Sequence, residues 1–140
     1  MKVLVVGANG KTGRRVAEKL TRAGVQVRGV SRSTTPSFDW RKPDAWDTTL
    51  EGMDAAYLTY HPDLSVPEAQ HHIQLFCTKA KTAGIEHVVL LSGRGEEGAA
   101  RAEQVLKDSG LSWNIIQASW FAQNYSEDFM LDQILSGTFV

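Results

Sequence analysis

Three glycines recur at every third position near the start of the chain, at Gly7, Gly10 and Gly13. Four apolar residues precede them (3–6), and apolar residues follow at helical spacing, which indicates a buried strand, a tight turn and a helix. In such a turn the first glycine allows a sharp bend, the second lets the backbone approach an anion, and the third lets the helix pack on the strand. Unpaired N–H groups at a helix start attract phosphate. The pattern predicts a dinucleotide pyrophosphate site, rather than an empty turn, formed by Gly7, Asn9, Gly10, Lys11, Thr12 and Gly13.

A basic side chain, Arg32, lies nineteen residues after Gly13, at the end of the second predicted strand. In dinucleotide-binding folds a carboxylate at this position selects the free ribose 2′-hydroxyl of NAD, whereas an arginine accommodates the 2′-phosphate of NADP. The guanidinium offers paired donors that match a phosphate, and Ser33 and Lys11 are placed to add contacts. The next carboxylate along the chain is Asp39. We therefore expect NADP(H) to be favoured over NAD(H); the alternative is an ordinary exposed arginine after a strand.

Predicted strands and helices alternate along the chain, which is typical of a parallel doubly wound sheet. The strands are expected at about 2–6, 26–31, 38–40, 55–59, 87–91 and 112–116, and the helices at about 11–23, 45–50, 66–83, 99–108 and 122–135. Ser65 and Glu68 have the spacing of a capping box at the start of the third helix. Right-handed crossovers give six strands in the order 3-2-1-4-5-6, a Rossmann NAD(P)-binding fold in a single domain over residues 1–140.

A family resemblance is carried by residues 7–13, 30–32, 50–54, 88–92, 109–116 and 120–124. These segments resemble the NmrA-like atypical short-chain dehydrogenases/reductases, and residues 31–33 and 36–40 are most similar to the agroclavine/festuclavine dehydrogenase-like branch. The resemblance implies NADP(H) binding, with the Arg32 region at the 2′-phosphate and with Asp39 and Trp40 near the adenine. It also implies that the ribose and nicotinamide side is lined by Thr59, Tyr60, His61 and Ser92.

Two features depart from the family pattern. Members are usually about twice as long, and their C-terminal half supplies much of the substrate pocket and a small helical lobe. We therefore expect this chain to match only the N-terminal half of a typical member, with the substrate lobe missing. The family also commonly has Arg-Pro after the sixth strand, where this sequence has Gln117 and Ala118.

The sequence contains no obvious proton donor for catalysis. Short-chain dehydrogenases usually use a Tyr-x-x-x-Lys pair, but no tyrosine of this chain (57, 60 and 125) has a lysine four residues later. Tyr60 and His61 follow the fourth predicted strand and are candidate donors; the alternative for each is a loop residue that shapes the cofactor groove. Ser92 lies where the family has a serine after the fifth strand, although serine alone is a poor acid. His71 and His72 are interpreted as ordinary surface or half-buried helix residues.

Composition limits the partners that we expect. Residues 1–33 carry a formal charge of +7 and the remaining 107 residues carry −8. Such a basic patch could bind nucleic acid, but it is centred on the predicted phosphate site, so we expect no nucleic-acid partner. The sequence contains no long apolar run and no recognisable signal peptide, which predicts a cytoplasmic protein with no membrane partner. The single cysteine, Cys77, excludes an intrachain disulfide, and no metal site is expected.

Two functions remain open at this point. The first is an NADPH-dependent oxidoreductase that transfers hydride to a small electrophilic acceptor, such as a quinone or an iminium, which needs positioning but no protein acid. The second is a non-catalytic regulatory module that senses NADP(H) and signals through a partner, as the resemblance allows. The sequence does not decide between them.

The C-terminal segment predicts self-association. Phe121, Tyr125, Phe129, Met130 and Ile134 carry more apolar area than one short helix can bury against the sheet, and the sixth strand would be an open edge. We therefore expect this chain either to self-associate through the segment or to be one piece of a longer protein. Light scattering tests the expectation. A stable monomer at tens of micromolar that binds no hydrophobic dye would show instead that the segment folds back.

Overall fold

The computed structural model describes residues 1–118, which form one parallel sheet with helices on both faces. The strands are β1 (Lys2–Val6), β2 (Gln26–Val30), β3 (Ala55–Leu58), β4 (His87–Gly93) and β5 (Ser112–Ala118). The helices are α1 (Lys11–Arg22), α2 (Asp47–Leu50), α3 (Pro67–Ala83) and α4 (Glu97–Lys107), with a 3-10 turn at Pro43–Ala45. The predicted alternation of strands and helices is confirmed.

The strand order is β2-β1-β3-β4-β5, and every neighbouring pair is parallel. This is the doubly wound arrangement of a Rossmann fold, as the sequence predicts. In the register of the sheet Val6 lies beside Val30, and Leu58 lies beside Leu90. The strands therefore end along one common edge, and the loops that follow them meet there.

Alternate residues of β1 enter two separate cores. Leu4 and Val6 belong to the larger core, which is packed with residues of α2, α3 and α4, whereas Val3 and Val5 belong to the smaller core against α1. Successive side chains of a strand point to opposite faces of the sheet. Burial of all four side chains therefore explains why β1 is a continuous apolar run and not an alternating one.

The prediction of a third strand at 38–40 is wrong, and five of the six predicted strands are present in residues 1–118. Residues 38–40 lie in an aromatic cluster that comprises Phe38, Trp40, Trp46 and Phe76. Nε1 of Trp46 donates to the Asp39 carbonyl (2.8 Å), and Nε1 of Trp40 donates to the Thr59 carbonyl (3.0 Å). The Asp39 carbonyl thus accepts from an indole N–H, whereas in a strand it would accept from the backbone N–H of a neighbouring strand. The outer strand at this end of the described sheet is β2.

The start of α3 also differs from the prediction. The helix begins at Pro67, and its N-cap residue Val66 makes no side-chain capping bond, so the capping box of Ser65 and Glu68 is wrong. The backbone N–H of Ser65 donates to the Asp63 carboxylate (3.0 Å), and this local turn leads into the helix. Proline suits the first helical position because its missing N–H would have no intrahelical partner there.

Residues 119–140 lie outside the described part of the chain. They include the helix predicted at 122–135 and the apolar residues on which self-association depends, namely Phe121, Tyr125, Phe129, Met130 and Ile134. Self-association therefore stays a prediction. None of the helices within residues 1–118 combines the length and the apolar character needed to cross a lipid bilayer.

Arg28 connects the outer strand β2 to α2. Its Nη1 donates to the carbonyl oxygens of Thr49 (2.9 Å), Glu51 (2.8 Å) and Thr48 (3.4 Å). These carbonyls lie at the end of a helix of only four residues, where no further helical turn supplies N–H donors. The helix carries the fully buried Leu50 into the larger core. Arg28 therefore stabilises an element that contributes to the core.

Replacing Arg28 with alanine is expected to lower the free energy of unfolding by about 1–2 kcal/mol, because the partly buried Thr49 carbonyl and two exposed carbonyls lose their donor. Urea denaturation measures the change. The matched control is Arg22→Ala, which breaks an ion pair with Glu18 whose side chains are 73% and 54% exposed. That change should cost less than about 0.5 kcal/mol. Equal effects of the two substitutions would contradict the role given to Arg28.

Candidate functional site

An open groove of about 1140 Å³ follows the edge at which the strands end. Doubly wound folds bind ligands outside this edge, where consecutive crossovers leave on opposite faces. Twelve of the fourteen residues predicted for the site line the groove: Gly7, Asn9, Gly10, Lys11, Thr12, Arg32, Ser33, Asp39, Trp40, Thr59, Tyr60 and His61. The structure does not bring the other two, Gly13 and Ser92, to the groove; both are buried.

The glycine turn joins three elements through short backbone contacts. Gly7 has a positive φ of 81°, which turns the chain sharply after β1. The N–H groups of Gly7 and Ala8 both donate to the Val30 carbonyl (2.9 and 3.1 Å), at the end of β2. A side chain at Gly13 would overlap the Gly7 carbonyl, and one at Gly7 would overlap the Thr59 hydroxyl. Both glycines are therefore required by close packing.

The start of α1 presents unpaired donors beside the groove. Within residues 1–118, the backbone N–H groups of Lys11, Thr12 and Gly13 have no acceptor. The N-cap residue Gly10 supplies no capping side chain, and the first turn contains no acidic residue. A phosphate would satisfy these donors and would lie at the positive end of the helix dipole. The residues present thus fit a pyrophosphate, and the absence of a Cβ at Gly10 leaves its approach open.

Asn9 holds the loop after β2 against the glycine turn. Its Nδ2 donates to the hydroxyl oxygens of Ser31 (2.8 Å) and Ser33 (3.1 Å). Arg32, between these two serines, consequently lines the groove. The sequence pattern includes Asn9 in the phosphate site, and the structure adds that Asn9 orders the neighbouring loop.

The Asp39 carboxylate lies among three basic residues. Its Oδ1 accepts the backbone N–H of Arg41 (2.9 Å), and Nε of the same arginine is 3.7 Å away. The backbone hydrogen bond is the main cause that lowers the pKa of Asp39; burial opposes it, and the charges of Arg41, Lys42 and Arg32 lower the pKa further. Asp39 is therefore ionised at neutral pH, and basic side chains outnumber it at this end of the groove.

Tyr60 and His72 form a pair that the sequence analysis did not foresee. The Tyr60 hydroxyl lies 2.6 Å from Nδ1 of His72, a residue of α3. The Tyr60 ring packs on Trp40 at a centroid distance of 5.0 Å, and the His72 ring meets the edge of Trp46 at 6.4 Å. His72 is half-buried, as interpreted from the sequence, but it also supports a side chain of the groove wall.

Ser92 belongs to a buried polar group beside the groove. Its hydroxyl donates to Oε2 of Glu103 (2.5 Å), and Nε2 of Gln117 donates to Oε1 of the same carboxylate (2.9 Å). Ser92 and Glu103 are each 4% exposed. Both carboxylate oxygens thus have donors, and Gln117, where the family commonly has arginine, supplies one of them without a charge.

The parallel doubly wound sheet, with unpaired N–H groups of a helix start at its edge, defines an NAD(P)-binding fold of the Rossmann type. Residues 3–120 match the model of the NAD dependent epimerase/dehydratase family, and the chain belongs to that family.

Individual relatives agree with this assignment. The chain is 31% identical over 155 residues to Prestalk A differentiation protein A of Dictyostelium discoideum, covering 99% of this chain and 51% of the relative. It is 28% identical over 145 residues to festuclavine dehydrogenase of Aspergillus fumigatus, covering 91% of this chain and 50% of the relative, which confirms the resemblance to the agroclavine/festuclavine branch. The chain spans about half the length of the curated relatives it matches.

A solved structure shares the fold at lower sequence identity. The triphenylmethane reductase of Citrobacter sp., solved as a complex with NADP(H), superposes with a TM-score of 0.74 at 14% identity. The superposition covers 84% of this chain and 49% of that chain. The likeness confirms the fold.

Gly10→Val is expected to weaken NADP+ binding at least about tenfold, because the new side chain would occupy the pyrophosphate position. The fold should be largely retained, since a Cβ at this position meets only the Gly7 carbonyl, at 3.2 Å. Calorimetric titration measures binding, and circular dichroism checks the fold. Gly13→Val is the contrasting variant. Its side chain would overlap the Gly7 carbonyl, so the free energy of unfolding should fall together with NADP+ affinity. Normal NADP+ binding by Gly10→Val would contradict the assignment of the phosphate site.

Proposed function

We propose that the groove binds NADP(H) in preference to NAD(H). The observation that carries this proposal is the presence, in one groove, of unpaired N–H groups at the start of α1 and of Arg32 after β2. Lys11 and Thr12 would hold the pyrophosphate through backbone donors, and Gly10, which has no side chain, would leave its approach open. Arg32 and Ser33 would bind the ribose 2′-phosphate, where a guanidinium provides two parallel donors.

The surroundings of Asp39 support the preference for a 2′-phosphate. The backbone N–H and the guanidinium of Arg41 both contact Oδ1 of this carboxylate, so part of its acceptor capacity is already used within the chain. Arg32, Arg41 and Lys42 together exceed its charge, and a phosphate monoester balances that excess. Asp39 and Trp40 would then border the adenine, as the family resemblance implies.

The protein is further proposed to be an NADPH-dependent oxidoreductase that reduces a small electrophilic acceptor, such as a quinone or an iminium. The reduced nicotinamide supplies the hydride when bound, while the chain's own residues bind and orient the two molecules. Thr59, Tyr60 and His61 line the groove after β3, and Tyr60 and His61 stay the proposed proton donors. The similarity to festuclavine dehydrogenase supports an oxidoreductase activity. This activity is proposed for the whole protein.

A second candidate is the non-catalytic module that senses NADP(H). It is favoured by the engagement of Ser92 with Glu103, which keeps this hydroxyl out of the groove. Oxidation of NADPH, followed by absorbance with a panel of quinones, separates the two candidates. Turnover with any quinone supports the enzyme, whereas tight binding without turnover supports the sensor. Failure to bind either NADP+ or NAD+ would contradict both.

Cofactor preference tests the role of Arg32 directly. We expect NADP+ to bind at least about tenfold tighter than NAD+, or about 1.4 kcal/mol, because Arg32 stands where a carboxylate would select NAD. Arg32→Ala should remove most of this difference by weakening NADP+ alone. The control is Arg101→Ala, which removes an exposed arginine of α4. Equal affinities of the unmodified protein for NADP+ and NAD+, measured by calorimetric titration, would contradict the assignment.

A further inference from the structure

The Tyr60–His72 hydrogen bond connects the groove wall to a titratable group behind it. Tyr60 lines the groove, and its hydroxyl lies 2.6 Å from Nδ1 of His72. The Tyr60 ring packs on Trp40, whose Nε1 donates to the Thr59 carbonyl (3.0 Å). The His72 ring packs against Trp46, which is fully buried. Packing on both sides therefore orients the pair.

The charged and titratable groups around the pair come from each neighbouring element. His71 and Glu68 lie with His72 on α3, and the Asp39 carboxylate faces it from the loop after β2. Glu68 and Arg41 act on the Tyr60 hydroxyl. Burial is the main cause that lowers the pKa of His72, and His71 adds to it, while Glu68 and Asp39 oppose it. Burial likewise raises the pKa of Tyr60, so its phenol stays protonated at neutral pH.

One proton decides the direction of this hydrogen bond. When His72 is neutral and Nδ1 carries no hydrogen, Nδ1 accepts from Tyr60, and the phenol oxygen offers the groove only lone pairs. When His72 is protonated, Nδ1 donates to the phenol oxygen, and the Tyr60 O–H is released to donate elsewhere. For the neutral tautomer with its hydrogen on Nε2, protonation of His72 thus frees the Tyr60 O–H to donate to a ligand.

We propose that His72 is a positioning residue for Tyr60, through which binding of a dinucleotide in the groove is coupled to uptake of one proton. This inference rests on the proposed dinucleotide site. A dinucleotide presents ribose hydroxyl oxygens, which accept hydrogen bonds, on the side of the groove given to Tyr60, and its phosphates favour positive charge nearby. It therefore binds better to the form with protonated His72 and an outward Tyr60 O–H. By linkage, the bound dinucleotide favours the protonated form of His72 to the same extent.

The sign of the pH dependence follows from these directions. His72 is neutral in the free protein at neutral pH, because burial holds its pKa below the ordinary value. As the pH falls through the titration range of His72, more of the protein carries protonated His72, which is the form that binds the dinucleotide more tightly. The contribution of His72 to the affinity therefore increases as the pH falls. The 2′-phosphate of NADP+ takes up a proton in a similar range. The affinity of each variant for NADP+ is therefore compared with that of the unmodified protein at the same pH, at which the 2′-phosphate is in the same protonation state.

The test is calorimetric titration with NADP+, which withstands acid, at about pH 5.5 and about pH 8, on either side of the histidine range. His72→Asn keeps an amide near the Nδ1 position but does not titrate, and Tyr60→Phe removes the hydroxyl. We expect the affinity ratio of the unmodified protein to His72→Asn to be about fivefold larger at the lower pH. Tyr60→Phe should lose most of this difference, because it keeps the charge of His72 but not the hydroxyl that passes the effect to the groove. His71→Asn, which removes the adjacent exposed histidine, should keep the tighter binding at the lower pH and move the His72 midpoint to higher pH, because His71 no longer lowers the pKa of His72.

A second measurement follows the ring of His72 directly. In NMR titrations its midpoint should move to higher pH when NADP+ is saturating in the unmodified protein, and should move less in Tyr60→Phe, in which only the charge of the bound phosphates acts on His72. If NADP+ binds but all four proteins share one pH dependence and the midpoint does not move, the coupling is wrong while the dinucleotide site stands. If NADP+ binds none of them at either pH, both proposals are contradicted.

Discussion

Close packing of α1 against the end of β1 is the constraint on which the groove depends. A side chain at Gly13 would overlap the Gly7 carbonyl, and the positive φ of Gly7 turns the chain directly from strand to helix. These two conditions bring the N–H groups of Lys11 and Thr12 to the edge of the sheet without a capping side chain. The unpaired donors beside the groove are therefore a consequence of how the first helix packs on the first strand.

The facing wall of the groove is held by side-chain contacts with backbone and hydroxyl groups instead of by a strand. Asn9 binds the hydroxyl groups on either side of Arg32, and two indole N–H groups bind carbonyls of residues 39 and 59. Arg28 supports α2 in the same manner, through three carbonyl oxygens. Irregular chain can occupy this position because its polar backbone groups find partners in side chains.

The parts of the fold and of the groove lining that the sequence predicts correctly are local. The strand, glycine turn and helix occupy consecutive residues, and the predicted helix at 11–23 is observed at Lys11–Arg22. The strand at 38–40 is mispredicted because apolar residues at alternate positions suit a strand and an aromatic cluster equally, and tertiary contacts decide between them. The Tyr60–His72 and Ser92–Glu103 bonds join residues twelve and eleven positions apart. These bonds depend on how α3 and α4 pack on the sheet, so no local pattern marks them.

The aromatic cluster also gives the groove an optical property. Trp40 lines the groove, and the ring of Trp46 lies 5.4 Å behind it in the core. Reduced nicotinamide absorbs light in the range where buried indoles emit. A reduced dinucleotide in this groove would therefore accept excitation energy from two tryptophans at once, whereas Trp113 on β5, which is 39% exposed, emits from a more polar environment. The residues that replace the outer strand thus make occupancy of the groove visible by fluorescence without a label.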